Sequence, residues 1–403
     1  MFNFQVNSMM KAANISVIGG GIGGLATAIA LRNRGFSVQV YEQAQALRPV
    51  GAGLTLSSNG LASLDAIQPG IVEALKKAGS EVDRLTMKRS TGETIISKPM
   101  TIVEQFGLPM LNIQWSRLQS TLASALPPDI IHLNHRCAAI EQHNGGVKVR
   151  FENGEVAESD LLIGADGINS AVRQALIGDG APAYAGRMSW RAVIRFPHEE
   201  LTPNASTGFT APDGKNFMLF DMGEGYTCWS AGALQAEASA GKRAEDVKAR
   251  VLEVFSGWAE LVEAIVKATP ASDIVERPIC DRPPLRKWSK GPVTLLGDAA
   301  HPVVPALGQG ASMTFEDAYE LAFFLSSAPD TETALQAYEA SRIPRTEAIS
   351  VRSANQGFSS YKPDSASTLA ETVARISEDE FQIWLYGYKP SKVSFPPIEA
   401  TRA

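Results

Sequence analysis

The chain has little cysteine, no excess of positive charge and no unbroken apolar run long enough to span a membrane. Its three cysteines, Cys137, Cys228 and Cys280, are odd in number and widely spaced. That excludes a disulfide framework and suggests a reducing, cytoplasmic setting. Lys and Arg number 37 against 43 Asp and Glu, a net charge of −6, which argues against nucleic-acid binding through a basic face. The most apolar early stretch, Ile15 to Leu31, is broken by five glycines and lacks signal-peptide flanks, so neither a leader nor an integral span is expected. Met9-Met10-Lys11 offers an alternative start, which would leave residues 1–9 as a loose tail. No internal repeat or low-complexity tract is visible. What remains is ordinary for a globular protein: 403 residues, 44% hydrophobic and 20% charged. A chain of this size can bury a core without staples, as one large or two intergrown domains.

Ala13 to Ile18 reads as a buried strand, followed by Gly19-Gly20-Gly21-Ile22-Gly23-Gly24 and then by Ala and Leu at helical spacing over Leu25 to Arg34. Gly35 stands where a helix C-cap belongs, and Ser37 to Tyr41 alternates as a second strand ending at Glu42. This is one βαβ unit. Asn144-Gly145 and Asn153-Gly154 flank alternating runs and signal hairpins. Leu161–Ile163 and Val293–Leu296 read as further buried strands, each ending in a glycine and aspartate turn. Residues 186–233 look strand-rich. Glu245 to Ala268, Phe315 to Leu325 and Thr333 to Ser353 have helical spacing. The fold class expected is α/β: a Rossmann-type dinucleotide-binding domain interrupted by a mostly antiparallel β-sheet domain, with C-terminal helices. The expected boundaries are 10–75, 110–180 and 275–355 for the nucleotide domain, 76–109 and 181–274 for the substrate domain, and 356–403 for a helical tail.

Three turns carry the chemistry. Gly19, Gly21 and Gly24 fit G-x-G-x-x-G: a tight turn, room for a pyrophosphate, and close packing of helix on strand. The following helix N-terminus would aim N–H groups at phosphates, and Glu42 is spaced to accept hydrogen bonds from a ribose. The plainer reading of Glu42 is an exposed acid beside a tight turn. Asp166, in Gly164-Ala165-Asp166-Gly167, and Asp298, in Gly297-Asp298-Ala299-Ala300-His301-Pro302, both close buried strands, where an open α/β sheet binds ligands. Taken alone, each reads better as a helix N-cap. The loop Pro305 to Ala311 is glycine-lined and opens another helix, a start that can approach a flat ring and stabilise negative charge.

Together these motifs resemble the three fingerprints of the group A flavoprotein monooxygenases, single-component aromatic hydroxylases with the para-hydroxybenzoate hydroxylase fold. The likeness runs in order over roughly residues 12–355. It extends to salicylate-, hydroxynicotinate- and urate-hydroxylase-like members and to zeaxanthin epoxidase-like members. It implies FAD, with Gly19, Gly21, Gly24 and Glu42 on its AMP half and Asp166 serving FAD and passing NAD(P)H. It further implies Asp298 at the ribityl-pyrophosphate and Gly308, Gly310 and Ala311 at the isoalloxazine, with Gly23 and Gly53 as additional contacts. One departure stands out. Where the family usually has an FAD-contacting Arg, Gln114-Trp115-Ser116-Arg117-Leu118 puts Trp115. Arg117, two residues on, either reaches the cofactor or is a surface charge.

The reaction implied is NAD(P)H reduction of FAD, addition of O₂, and transfer of one oxygen from a flavin C4a-hydroperoxide to an aromatic or heteroaromatic small molecule. The nicotinamide would visit only transiently, since one nucleotide-binding unit is visible. Loss of a phenolic proton would be aided by a cation or hydroxyl. The resemblance points to Arg191 and Tyr226 for this; their alternative is a domain-bridging Arg and a sheet Tyr. His301 is expected to set its turn. His132 and His135, near Cys137, are expected on alternating strand faces, so no metal site is expected. Phe217, Met218, Phe220 and Trp229 are pocket or core. Phe381 to Tyr388 resembles the tail of salicylate- and hydroxynicotinate-type relatives, or is a terminal helix burying aromatics. The expected partners are a small-molecule substrate, O₂ and NAD(P)H, the expected assembly a monomer or homodimer.

Other readings remain. An epoxidase or hydroxylase of isoprenoid or polyketide products would use the same fold. A flavin halogenase lacks its Trp-x-Trp-x-Ile-Pro signature here, and no room is seen for a C-terminal thioredoxin-like domain. A non-catalytic protein binder of the GDP-dissociation-inhibitor kind would lack the second and third turns.

Overall fold

The computed structural model describes residues 13–47, 53–238, 243–355 and 368–390. The alternative start at Met9 and much of the expected 356–403 tail lie outside them. From the N-terminus the chain forms β1 (Asn14–Ile18), α1 (Ile22–Arg32), β2 (Ser37–Tyr41), β3 (Gly53–Leu56), α2 (Ser58–Ile67), α3 (Ile71–Ala78), β4 (Ser80–Glu81), β5 (Arg84–Arg89) and β6 (Thr94–Pro99). Next come α4 (Ile102–Phe106), β7 (Leu111–Gln114), α5 (Trp115–Ser124), β8 (Ile131–His132), β9 (Cys137–His143), β10 (Gly146–Phe151), β11 (Val156–Ser159), β12 (Leu161–Gly164) and α6 (Ala171–Leu176). The second half holds β13 (Ala183–Arg195), β14 (Ala205–Thr210), β15 (Asn216–Asp221), β16 (Tyr226–Leu234), α7 (Ala244–Val254), α8 (Glu260–Ala268), β17 (Val275–Asp281), β18 (Val293–Leu295), α9 (Gly310–Ser327), α10 (Thr331–Ser353), α11 (Thr368–Arg375) and α12 (Glu378–Tyr386).

The short apolar strands β18, β12, β1, β2 and β8 form a five-stranded, all-parallel sheet in that order. The Val, Ile and Leu runs of β1, β12 and β18 are buried on both faces, as parallel strands covered by helices require. α1 packs on α9, and Gly23 to Leu31 are all buried. The Asn-Gly turns give a small antiparallel meander, β9–β10–β11.

A seven-stranded sheet runs β17-β13-β16-β15-β14-β5-β6, antiparallel except for β14 beside β5. Its alternation separates two faces. Met188, Trp190, Phe217, Leu219 and Trp229 bury against α7 and α8, whereas Ser189, Arg191, Met218 and Ser230 turn to a cavity. Two expectations need correction. β17 pairs along β13, so the chain stays with this sheet through Asp281 rather than leaving at 274. The helical stretch 245–268 is two helices, parted where Gly257 takes φ 76°. No described helix is long and apolar enough to cross a membrane.

Candidate active site

The ends of β1, β12 and β18 open into one cavity of about 1300 Å³ that is roofed by the seven-stranded sheet. Gly19, Gly21 and Gly23 line it at the start of α1. Gly19 needs a glycine twice over: φ is 112°, and a Cβ would stand 2.4 Å from the Ala165 carbonyl oxygen. Gly24 lies behind the lining, where a Cβ would be 1.9 Å from the Gly19 carbonyl oxygen; its absence lets α1 sit on β1. Gly21 faces open space, and no side chain caps α1. The first N–H groups of that helix are therefore free for an anion in the cavity. Glu42 reaches the same wall, its Oε2 accepting from Gly20 N at 2.6 Å and Oε1 from Ala44 N at 2.8 Å.

Asp166 lines the second turn and also caps α6. Its carboxylate accepts from Ser170 Oγ at 2.5 Å, Ala171 N at 2.7 Å and Val172 N at 3.2 Å. Burial raises its pKa, and those hydrogen bonds only partly oppose the rise. Asp298 opens onto the cavity with no hydrogen bond or ion pair among the described residues. Surrounding protein raises its pKa, the His301 charge opposes that, and Asp317 adds to it. His301 Nε2 donates to Asp317 Oδ2 at 2.5 Å, and the same oxygen accepts from Gly297 N at 3.1 Å. The imidazole thus holds its turn through a carboxylate, alongside the backbone bond from His301 N to Gly297 O at 2.9 Å. Gly53, Gly308, Gly310 and Ala311 complete the lower wall, and α9 begins there without a side-chain cap.

On the sheet side, Arg191 lines the cavity. Its buried Nε has no hydrogen-bond partner, and among the described residues its guanidinium makes no ion pair. Burial depresses its pKa; the Cys228 thiol opposes this slightly and Arg277 reinforces it. A half-buried cation with an unsatisfied Nε and no counter-ion among the described residues is available to an anion in the cavity. Tyr226 is a correction. The register sets Ser230 opposite Arg191 and Tyr226 opposite Arg195, and the Tyr226 ring sits under Arg195 at 4.5 Å and Arg117 at 5.5 Å, off the cavity lining. Arg117 is a second correction: it donates to Ala78 O at 2.9 Å and pairs with Glu224, so it neither faces the cavity nor stands free on the surface. Trp115 is the residue of that segment that lines the cavity.

Several lining residues were not anticipated. Gln119, one turn after Trp115, lines the cavity and donates to Gly20 O at 2.8 Å; its i+4 spacing from Trp115 was the available signal. Gln309 Nε2 donates to Ser57 Oγ at 2.9 Å, and Asn59 joins Gln309 to Glu316. That chain pins the loop before α9. Met218 and Phe220 line the cavity, while Phe217 and Trp229 stack 5.3 Å apart in the core on the opposite face. His132 and His135 do not alternate as expected. β8 ends at His132, Asn134 turns at φ 61°, and the two rings meet 5.7 Å apart beside Tyr41. Phe381 and Leu385 of α12 bury against Met313 and Ile349.

These residues fit a dinucleotide. Two uncapped helix starts face the cavity, two cavity carboxylates close strands, and Gly21 leaves space beside the turn. The family described as "FAD binding domain" matches residues 12–353. Aurachin C monooxygenase/isomerase of Stigmatella aurantiaca is 35% identical over 341 residues, 84% of this chain and 87% of its own. The 6-hydroxynicotinate 3-monooxygenase of Pseudomonas fluorescens is 32% identical over 85% of this chain and 90% of its own. Klebsiella pneumoniae HpxO, solved with FAD and uric acid, shares the fold at a TM-score of 0.80 and 24% identity, covering 94% of this chain and 93% of that one. The chain belongs to the FAD-binding monooxygenase family.

Proposed function

We propose that the protein hydroxylates a small aromatic or heteroaromatic compound bearing an acidic ring oxygen, with NAD(P)H as transient reductant and O₂ as oxygen source. One oxygen atom enters the ring and the other leaves as water, the electrons coming from NAD(P)H. The observation that carries this reading is the unpaired Arg191 guanidinium in the same cavity as the three glycine turns. FAD, when bound, supplies the redox chemistry that activates O₂.

The chain's own residues then have distinct tasks. Gly19, Gly21, Gly23 and the start of α1 hold the pyrophosphate, Gly24 supports them by packing, and Glu42 accepts from the adenosine ribose. Asp166 and Asp298 accept from the remaining cofactor hydroxyls, with Gly53 and Gly308 to Ala311 against the ring system. Arg191 favours the deprotonated form of the substrate oxygen, which makes the ring electron-rich. The five-stranded sheet thus serves the cofactor and the seven-stranded sheet the substrate. A cytoplasmic monomer or homodimer is part of this proposal; three free cysteines suit that compartment. The test is an NAD(P)H oxidation screen over phenols, hydroxypyridines and aromatic acids with product mass analysis. A substrate accelerates NAD(P)H oxidation and gains one oxygen; uncoupled oxidation with every compound would count against the proposal.

A further inference from the structure

One row of the seven-stranded sheet is chemically lopsided. The registers align Arg191 on β13 with Ser230 on β16, Met218 on β15, Gly208 on β14 and Met87 on β5. Four of these five side-chain positions line the cavity; the fifth is Gly208. At one end stands a guanidinium without a counter-ion among the described residues. At the other, a Cβ on Gly208 would meet Met87 Sδ at 2.6 Å and Met218 Sδ at 2.7 Å, so the two thioethers converge over bare backbone. Met100 and Met110 also line the cavity. All four methionines are only half-buried. Thioethers offer no strong hydrogen bond, and Met adapts its shape to apolar guests. With strands spaced about 4.8 Å apart, Arg191 and Gly208 are separated by about 14 Å across three strand-to-strand steps.

We propose, resting on the hydroxylase reading above, that the substrate is amphipathic. Its acidic ring oxygen seats at Arg191, and an apolar chain runs along the row to lie on the Met218 and Met87 thioethers, which cover Gly208. A ring at the Arg191 end leaves length for a straight substituent of roughly six carbons within the row. Gly208 sets the depth of this apolar end, because any side chain there pushes both sulfurs into the space the chain would take. The row therefore selects for charge at one end and for chain length at the other.

The test is calorimetric binding of 4-alkyl-2-nitrophenols, methyl through octyl, whose acidic ring oxygen lies para to the chain, to the FAD-loaded protein. The expected result is a Kd that tightens by up to about fourfold per added methylene and then levels. In Gly208→Val the hexyl compound loses the gain it has over methyl. Met87→Gln, an exchange at a half-buried strand position, flattens the series in the same direction and decides the matter if Gly208→Val does not fold. Arg191→Gln weakens every member by a similar factor, about ten to a hundred, and keeps the slope. A flat wild-type series, no binding at any length, or an unchanged slope in both the Gly208 and Met87 variants would overturn the inference. NAD(P)H-dependent oxygenation of short aromatic acids is read separately. If it occurs alongside a flat series, the hydroxylase reading stands and only the chain-length inference falls.

Discussion

Arg191 lies directly opposite Ser230 across the β13–β16 pair, and its buried Nε has no hydrogen-bond partner. Four residues along, Tyr226 faces Arg195 instead. The cavity therefore contains a guanidinium and a hydroxyl side by side, and the tyrosine stands about 13 Å away along the strand.

Arg191→Met is expected to retain FAD and to lower kcat/KM for an acidic aromatic substrate by about tenfold to a hundredfold, the worth of a hydrogen bond to a charged group. Tyr226→Phe should leave turnover unchanged. Steady-state kinetics with flavin content measured on the same samples checks both, and a large loss in Tyr226→Phe would contradict the register argument.

The first glycine turn separates folding from binding. Gly24→Ala puts a methyl 1.9 Å from a backbone oxygen, which cannot be relieved by rotating a side chain; a stability loss of about 1–3 kcal/mol or more is expected. A side chain at Gly21 meets nothing within 4 Å in the protein. Gly21→Val should therefore keep the apoprotein's denaturation midpoint and lose FAD affinity. Urea unfolding and flavin titration distinguish the two.

Asp298 gives the apoprotein a pH signature. Enclosure by surrounding protein raises its folded pKa above the unfolded value even though the side chain is open to the cavity, with His301 opposing and Asp317 assisting. As pH rises the unfolded chain loses its proton first, so stability declines from the ordinary aspartate pKa up to the folded value and then levels. Asp298→Asn removes this decline. The variant should gain on the wild type through that window and keep the gain at neutral pH. A difference that stays constant from acid to neutral pH would contradict the assignment.

Between α9 and α10, Arg342 Nε donates to Asp317 and its Nη1 to Glu316, each at 2.7 Å, with all three side chains fully buried. Burial works to raise both carboxylates, but His301 and Arg342 at Asp317, and Arg345 and Arg342 at Glu316, outweigh it and lower them. Their stabilisation is thus present above the unfolded carboxylate pKa and lost as pH falls through the lowered folded values. Arg342→Met removes one cation from each carboxylate, leaving Glu316 to Arg345 and Asp317 to His301, and should cost about 1.5–3 kcal/mol, read as a fall in denaturation midpoint.

Much of the cofactor side was legible because its signals are local. A glycine run between an apolar strand and a helix can be read within twenty residues, as can an aspartate that closes Leu161–Ile163 or Val293–Leu296. The substrate side depends on register between distant strands. Nothing near Tyr226 says that it pairs with Arg195, and nothing near Met87 says that β5 lies beside β14. Arg117 was misjudged because its partners Ala78 and Glu224 are set by tertiary packing. The break at Gly257 was hidden because apolar spacing continues across it, whereas a positive φ does not show in periodicity.

The most direct test of the central claim is titration of the apoprotein with FAD, followed by flavin absorbance and calorimetry, for wild type and Asp298→Ala. One FAD is expected per wild-type chain, with an affinity lower by about tenfold to a hundredfold in the variant, which lacks a charged acceptor at the cofactor. A wild-type protein that binds no FAD, or a variant that binds it equally well, would contradict it.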